Sequence, residues 1–432
     1  MRIAVIGAGY VGLVTAACLA RVANEVVCVE KDVGKLDVIE AGGIPVYEPG
    51  LAELVADMKA EGCLSFTNSM KDALEGARAA FIGVGTPPRP LDGLADLRWV
   101  MEAAYDAARL ASGPLVLITK STVPVGTGDE IERRISELAN GRSITVVSNP
   151  EFLREGSGIT DFMQPDRIVI GAEDDGSRRV LEEIYAPFEA RGVPVLVTSR
   201  RSAELIKYAS NAFLAMKVTY ANEMALLCEA AGADASAVLE GLGLDSRIGS
   251  KFLKPGPGYG GSCFPKDTLA LIRTAQDCRR PLKLVEATVA ANDHVKREMA
   301  FRIVDACGGS VRDKTVAVLG LAFKAGTDDI RESPSLAIVQ ALVDRGATVR
   351  AYDPQAMKDG VGLPAGASVF PSALHAAEGA DAVAVLTEWP EFAEINLDAL
   401  ARVMAGSVLV DFRNIVPLEK IEGAQLRRFP FR

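Results

Sequence analysis

Cys263 ends a run dense in glycine, Lys254-Pro255-Gly256-Pro257-Gly258-Tyr259-Gly260-Gly261-Ser262-Cys263, and Phe264-Pro265-Lys266-Asp267 follows. Such a run is neither helix nor strand interior, and its backbone can approach a ligand closely. Pro265 and the pattern Asp267-Thr268-Leu269-Ala270-Leu271-Ile272 predict a helix that starts at or just after the cysteine. Peptide N–H groups and the dipole at a helix N-terminus favour a thiolate, which is the nucleophilic form. Asp267 lies one turn further, on the same face. The competing reading is a buried structural thiol, the ordinary state of a single cysteine.

A hydride acceptor is predicted at the other end of the chain. Arg2-Ile3-Ala4-Val5-Ile6 reads as a buried strand, Gly7-Ala8-Gly9-Tyr10-Val11-Gly12 follows, then a helix from Leu13 to Val22, then the strand Glu25-Val26-Val27-Cys28-Val29 closed by Glu30. Strand, GxGxxG, helix, strand and acid form the dinucleotide fingerprint in its full context. Gly7 permits the tight turn, Gly9 a close approach of backbone to pyrophosphate, and Gly12 close packing of helix on strand. The helix N-terminus faces the phosphates. Glu30 can accept from both ribose hydroxyls and would repel a 2′-phosphate, so NAD is favoured over NADP, although Lys31 is adjacent.

A thiolate beside an NAD site can add to an aldehyde, lose hydride to become a thioester, and be released by water. Oxyanion donors and carboxylates must assist. His294 and His375 are the only histidines and lie in no motif, so a histidine base is not expected. Strands over 79–84, 115–119 and 144–148 run into Gly85-Thr86-Pro87-Pro88, Lys120-Ser121-Thr122-Val123-Pro124 and Asn149-Pro150-Glu151-Phe152-Leu153-Arg154-Glu155-Gly156. Ligands of doubly wound sheets bind outside the carboxyl ends of strands, which puts Thr86, Thr122, Glu151 and Glu155 on the nicotinamide side. Ordinary turn chemistry is the alternative for each. A long helix from Ser202 to about Ala231 carries Lys207 and Asn211 on one face. Lys207 is either a snorkelling surface lysine or a buried cation that stabilises an oxyanion with Asn211. Arg247, Lys251 and Lys254 lend a positive character suited to phosphate, or form a solvated basic face.

The positioning elements follow an α/β, helical, α/β plan. A strand, turn, helix and strand restart at 314–353, and Gly320 stands without the other glycines of a second fingerprint. By the carboxyl-end rule Lys324, Arg331 and Arg413 fall at the ligand-binding edge of this half. The expected fold class is α/β: two Rossmann-like doubly wound parallel-sheet domains joined by a long central helix and a small α-helical domain. The expected boundaries are 1–199, 200–305 and 306–432. A chain of 432 residues supports two or three domains, and a net charge of −10 argues against nucleic-acid binding. Seven cysteines without CxxC spacing make neither a disulfide framework nor a metal site, and a reducing cytoplasm is expected. The apolar residues 3–20 are explained by the nucleotide-binding unit rather than by a signal peptide or membrane span.

The segments 1–12, 85–88, Lys120-Ser121-Thr122-Val123-Pro124-Val125-Gly126-Thr127, 149–156, the Lys207/Asn211 helix and Gly260-Gly261-Ser262-Cys263-Phe264-Pro265-Lys266-Asp267 together resemble the UDP-glucose/GDP-mannose dehydrogenase family, over nearly the whole chain. Phe252-Leu253-Lys254 before the cysteine loop is most similar to members that oxidise C6 of UDP-glucose to UDP-glucuronate with two NAD⁺. The resemblance implies that Cys263 is the nucleophile, assisted by Lys207, Asn211 and Asp267, with Thr122 and Glu151 holding the hydrolytic water. It implies a UDP-sugar site lined by Phe152, Leu153, Glu155, Arg247, Phe252, Lys254, Tyr259, Gly260, Lys324 and Arg413. It implies NAD contacts from Gly7, Gly9, Tyr10, Val11, Gly12, Glu30, Lys35, Thr86, Thr122, Glu155, Lys266 and Arg331. Glu30 departs from the aspartate common at the ribose. A homodimer through the central helical domain, or a higher homo-oligomer, is implied. The alternatives are a GDP-mannose or UDP-N-acetylmannosamine 6-dehydrogenase, a two-electron dehydrogenase with no need of Cys263, and an NAD-sensing protein without activity.

Overall fold

A computed structural model of the chain describes residues 1–89, 93–138, 141–357, 362–417 and 426–431. They divide into two compact units, Met1–Ser210 and Asn211–Arg432.

The first unit is built on β1 (Arg2–Ile6), β2 (Glu25–Val29), β3 (Leu64–Thr67), β4 (Ala79–Ile82), β5 (Leu115–Thr119), β6 (Ile144–Ser148), β7 (Ile168–Gly171) and β8 (Val195–Thr198), in the order β3-β2-β1-β4-β5-β6-β7-β8. The central strands are short apolar runs because helices cover both faces. Ile3, Phe81, Ile118 and Val147 pack on one side, and Ala4, Ile82, Leu117 and Val146 on the other. Strand order reverses between β1 and β4, which pair in parallel with Ile6 opposite Ile82. In such sheets that reversal opens the ligand crevice. One feature departs from the expected parallel sheet: β7 joins β6 antiparallel, Ser148 opposite Gly171. A parallel return needs a full crossover. The link here holds only the short helix Gly158–Met163, so the chain re-enters the sheet at the end where it left.

A helix of 32 residues, Arg200–Ala231, without glycine or proline, continues from the first unit into the second. The helices Ala235–Leu244, Phe264–Asp277 and Lys283–Ala306 follow. The second sheet contains β9 (Thr315–Leu319), β10 (Thr348–Tyr352), β11 (Ala367–Val369), β12 (Ala382–Val385), β13 (Val408–Asp411) and β14 (Arg427–Pro430), ordered β11-β10-β9-β12-β13-β14 and parallel throughout.

The second sheet repeats the first turn of the first. Gly7 N–H donates to Val29 O at 2.8 Å, and Gly320 N–H to Tyr352 O at 2.8 Å. Ala8 N–H donates to Glu30 Oε2 at 3.0 Å, and Leu321 N–H to Asp353 Oδ2 at 2.8 Å. Asp353, however, is wholly buried and also accepts from Ala322, Gln355, Ala356 and the indole of Trp389. Its capacity is consumed by the protein, in keeping with the missing second fingerprint. Among the described residues no helix is long and apolar enough to cross a membrane.

Candidate active site

In the first unit, Gly7 has φ +99° and a Cβ on Gly12 would lie 1.9 Å from Gly7 O, so only glycines allow this turn and this helix approach. Gly9 precedes the helix Tyr10–Arg21, which carries Val11 and Gly12 in its first turn. Glu30 is buried, with Oε2 taken by Ala8 N–H and Oε1 by Asp32 N–H at 3.0 Å. Each oxygen keeps a lone pair for a ribose hydroxyl. Lys31 turns away to Glu102 at 2.7 Å and Asp106 at 3.0 Å. Lys35 has its N–H capped by Asp32, and its side chain is exposed. These residues fit NAD: a glycine turn at a helix N-terminus and a ribose acid, with the adjacent Lys31 paired to Glu102 and Asp106.

The polar loops after β4, β5 and β6 are drawn together. Thr86 Oγ1 donates to Thr122 O at 3.2 Å, and Ser121 Oγ to Val84 O at 2.6 Å. Lys207 Nζ lies 2.8 Å from Glu151 Oε1, with side chains 3% and 4% exposed. Lys207 is therefore the buried cation of the two readings. Glu151 Oε2 accepts Leu153 N–H at 2.5 Å. Phe152 lies under the Arg167 guanidinium at 3.7 Å, with the Lys207 ammonium 5.5 Å from its ring. A small recess is lined by Thr122, Ser148, Pro150, Glu204 and Lys207.

Three buried groups brace these loops and were not singled out from sequence. Glu48 accepts from Tyr10 Oη at 2.7 Å and from Gly156 and Gly158 N–H at 2.6 Å, which pins the turn that carries Glu155. Burial and Glu48 push the Tyr10 phenol far up, with Glu155 and Glu151 adding to it. Glu204 accepts from Gly126 and Gly128 N–H and from Ser148 Oγ, while burial raises its carboxyl. Lys120 is buried on Asn149 and Tyr185, and desolvation lowers its ammonium to about 8.

In the second unit, Cys263 is the N-cap of Phe264–Asp277, with Pro265 in the first turn. Its carbonyl accepts Asp267 N–H at 2.9 Å, and Ser262 Oγ lies 3.6 Å from its Sγ. Asp267 is wholly buried; it accepts from Asn211 Nδ2 at 2.6 Å and pairs with Lys266 at 2.6 Å. Phe264 meets the rings of Phe252 and Tyr259, and burial raises the Tyr259 phenol to about 12.

The glycine loop is gripped from two sides. Asn222 Oδ1 accepts Gly256 N–H, and Asn292 Oδ1 accepts Tyr259 N–H, both at 2.8 Å. Asn222 follows Asn211 by eleven residues, three helical turns, and that spacing on one face was the available signal. Gly261 N–H donates to Arg331 O at 2.9 Å, and the Phe323 ring lies so close that a Cβ on Gly261 would meet it at 2.8 Å. A Cβ on Gly256 would reach Arg413 at 2.7 Å, so Arg413 sits at the loop, bonded to Leu386 O and Phe323 O. Lys324 Nζ lies 5.6 Å from the Phe323 ring, and Lys254 is exposed. Two arginines form local ion pairs. Arg247 folds back on Asp245 with its side chain 87% exposed, and Arg331 does the same on Asp329. Both guanidinium groups are paired locally with these aspartates.

Chemically, the first unit offers a nucleotide cradle, a buried Lys–Glu pair and a threonine. The second offers a thiol at a helix start, a buried Asn–Asp pair and basic groups at a glycine loop. The continuous helix carries Lys207 and Asn211 one turn apart.

Comparison with known proteins agrees. Residues 1–189, 201–294 and 317–417 match the NAD binding, central and UDP binding domains of the UDP-glucose/GDP-mannose dehydrogenase family. The UDP-glucose 6-dehydrogenase of Rhizobium meliloti (strain 1021) is 52% identical over 423 residues, covering 98% of this chain and 97% of that protein. The solved UDP-glucose dehydrogenase of Pyrobaculum islandicum superposes with a TM-score of 0.90 at 38% identity, covering 99% of this chain and 96% of the other. A UDP-D-ManNAc dehydrogenase of Pyrococcus horikoshii gives 0.86 at 27%, covering 100% and 99%. The chain therefore belongs to the UDP-glucose/GDP-mannose dehydrogenase family, with NAD as its cofactor.

Proposed function

We propose that the chain oxidises C6 of UDP-glucose to the carboxylate of UDP-glucuronate, with two NAD⁺ reduced per sugar. The observation that carries this is the Asn211–Asp267 bond. It anchors the first turn of the helix capped by Cys263 to Asn211 of the long helix. The identity of 52% to a UDP-glucose 6-dehydrogenase, against 27% to a UDP-D-ManNAc dehydrogenase, supports UDP-glucose.

NAD⁺ accepts hydride in both oxidations. The C6 alcohol loses hydride and a proton to become an aldehyde. The Cys263 thiolate adds to the aldehyde carbon, and Lys207 with Asn211 holds the oxygen of the thiohemiacetal. Loss of the second hydride leaves a thioester. Water held by Thr122 and Glu151 attacks it, releasing the carboxylate and the thiol. Asp267 orients Asn211 and Lys266. Phe152, Leu153, Glu155, Arg247, Phe252, Lys254, Tyr259, Gly260, Lys324 and Arg413 form the sugar-nucleotide site in this reading. Gly7, Gly9, Tyr10, Val11, Gly12, Glu30, Lys35, Thr86, Lys266 and Arg331 join Thr122 and Glu155 at NAD. The proposed domains are an NAD-binding 1–199, a central 200–305 that also dimerises, and a UDP-sugar-binding 306–432. All seven cysteines are free, which supports a reducing cytoplasm.

The test is the NADH yield per UDP-glucose consumed with NAD⁺ in excess. About two is expected from an alcohol-to-acid oxidation. About one would make this a simple alcohol dehydrogenase. No NADH from UDP-glucose, with turnover of GDP-mannose or UDP-N-acetylmannosamine, would move the assignment within the family.

A further inference from the structure

We propose that Lys120 is a positioning residue for this reaction: through Asn149 it holds the turn that carries Glu151, and it lends the Glu151–Lys207 pair a second positive charge. The inference rests on the function proposed above and adds a residue to it.

Lys120 leaves β5 directly and is 5% exposed. Its Nζ donates to Asn149 Oδ1 at 3.0 Å and approaches Tyr185 Oη at 3.4 Å, while Tyr185 Oη donates to the same Oδ1 at 2.5 Å. Asn149 Nδ2 donates to Val169 O at 2.7 Å, and Asn149 N–H to Thr119 O at 3.0 Å. Both ends of the amide are thereby fixed, and only Pro150 separates Asn149 from Glu151. The ammonium also lies 5.7 Å from the Phe162 ring and 5.8 Å from that of Tyr185.

None of these partners is a carboxylate. Among the described residues Lys120 forms no ion pair, although a buried cation ordinarily acquires one. Glu151 is committed to Lys207 and Leu153 N–H. The groups facing Lys120 are Asn149 and Glu151 beyond β6, Lys207 on the long helix, Tyr185 on Asp175–Glu189 and Phe162 on Gly158–Met163. Burial is the main cause of the fall of the Lys120 ammonium to about 8, Glu151 opposes it, and Lys207 adds to it. Two cations around one carboxylate suit a reaction that builds negative charge on oxygen.

The experiment compares K120M, K120Q and Y185F with the wild type on whichever nucleotide sugar the wild type oxidises. Tm and NAD affinity are measured in parallel. The glutamine keeps a donor for Asn149 without the charge. Folded K120Q is expected to lose about tenfold and K120M about a hundredfold in kcat, with KM within about twofold. The alkaline limb of the kcat profile should move to higher pH, because the charge opposing protonation of Lys207 is gone. Y185F keeps the charge and should leave that limb unmoved. Wild-type kcat and pH profile in both folded Lys120 variants overturn the proposal. Lysine-selective 13C NMR of the folded wild type and E151Q needs no turnover, so it applies if the Lys120 variants fail to fold or the wild type oxidises none of the sugars. Removing the Glu151 charge must lower the Lys120 midpoint, and an unmoved midpoint overturns the coupling.

Discussion

Asn211 Nδ2 donates to Asp267 Oδ2 at 2.6 Å, and the same carboxylate pairs with Lys266 at 2.6 Å in a position closed to solvent. One side chain thus anchors the first turn of the helix that Cys263 begins. Replacing Asp267 by Asn leaves Lys266, 13% exposed, without its counter-ion. D267N is expected to lose about 2–3 kcal/mol in urea unfolding and at least about tenfold in kcat. Unchanged stability would show that the Asp267–Lys266 pair contributes nothing net to folding.

Cys263 offers a direct test of the covalent course. In C263S the first oxidation remains possible, but a serine ester is a far slower species to form and to release. Steady-state turnover should fall by at least about a hundredfold, with a mass increase for trapped sugar nucleotide or an NADH yield that stops short of two per sugar. Complete four-electron turnover at the wild-type rate would exclude a thioester on Cys263.

Gly260 and Gly241 predict opposite outcomes for the same substitution. A Cβ on Gly260 would lie 2.4 Å from Glu332 O and 3.0 Å from Pro334 Cδ, and neither group is a flexible side-chain end. G260A should cost about 1–3 kcal/mol and displace the cysteine loop, with a loss of activity. Gly241, within the helix Ala235–Leu244, has nothing within 4 Å, so G241A should raise stability by up to about 1 kcal/mol with unchanged turnover. Thermal melts and NADH assays on both variants check the pair.

Lys31 sits beside the ribose acid and is held away by Glu102 and Asp106. Neutralising both in E102Q/D106N frees a cation for a 2′-phosphate. The ratio of kcat/KM for NADP to that for NAD should rise by about two- to fivefold, in line with exposed ion pairs worth about 0.5–1 kcal/mol. The Glu30 carboxylate keeps NAD preferred.

Lys120 also sets a stability window. Its ammonium falls from 10.5 to about 8 in the fold, so between those values the unfolded chain binds the proton and the native chain does not. Stability contributed at this site therefore rises with pH across that window and is flat below it. The stability difference between wild type and K120M should rise by up to about 3 kcal/mol from pH 8 to 10.5. Denaturant titrations along the pH series read it directly, and a constant difference would mean that Lys120 titrates like a solvated lysine.

What sequence alone determined was the set of positions where local rules allow one answer. Gly7 and Gly12 are glycines because a positive φ and a 1.9 Å approach admit nothing larger, and that demand is legible without a fold. Pro265 after a glycine run marks a helix start, so Cys263 at the N-cap was foreseeable. Periodicity and the absence of glycine exposed the long helix, and the order of strands and helices gave the α/β class with its break in the middle.

Tertiary structure decided what depends on distant partners. Glu48 meets Gly156 across 108 residues, and Glu204 meets Gly126 across 78, in contacts that no local pattern encodes. It chose the buried reading of Lys207 by supplying Glu151 as its counter-ion, and it assigned Arg247 and Arg331 to aspartates two residues upstream. It reversed β7, because the direction of a strand depends on which end of the sheet the preceding loop reaches. Burial and charge pairing are properties of neighbours in space, and those neighbours exist only once the chain has folded.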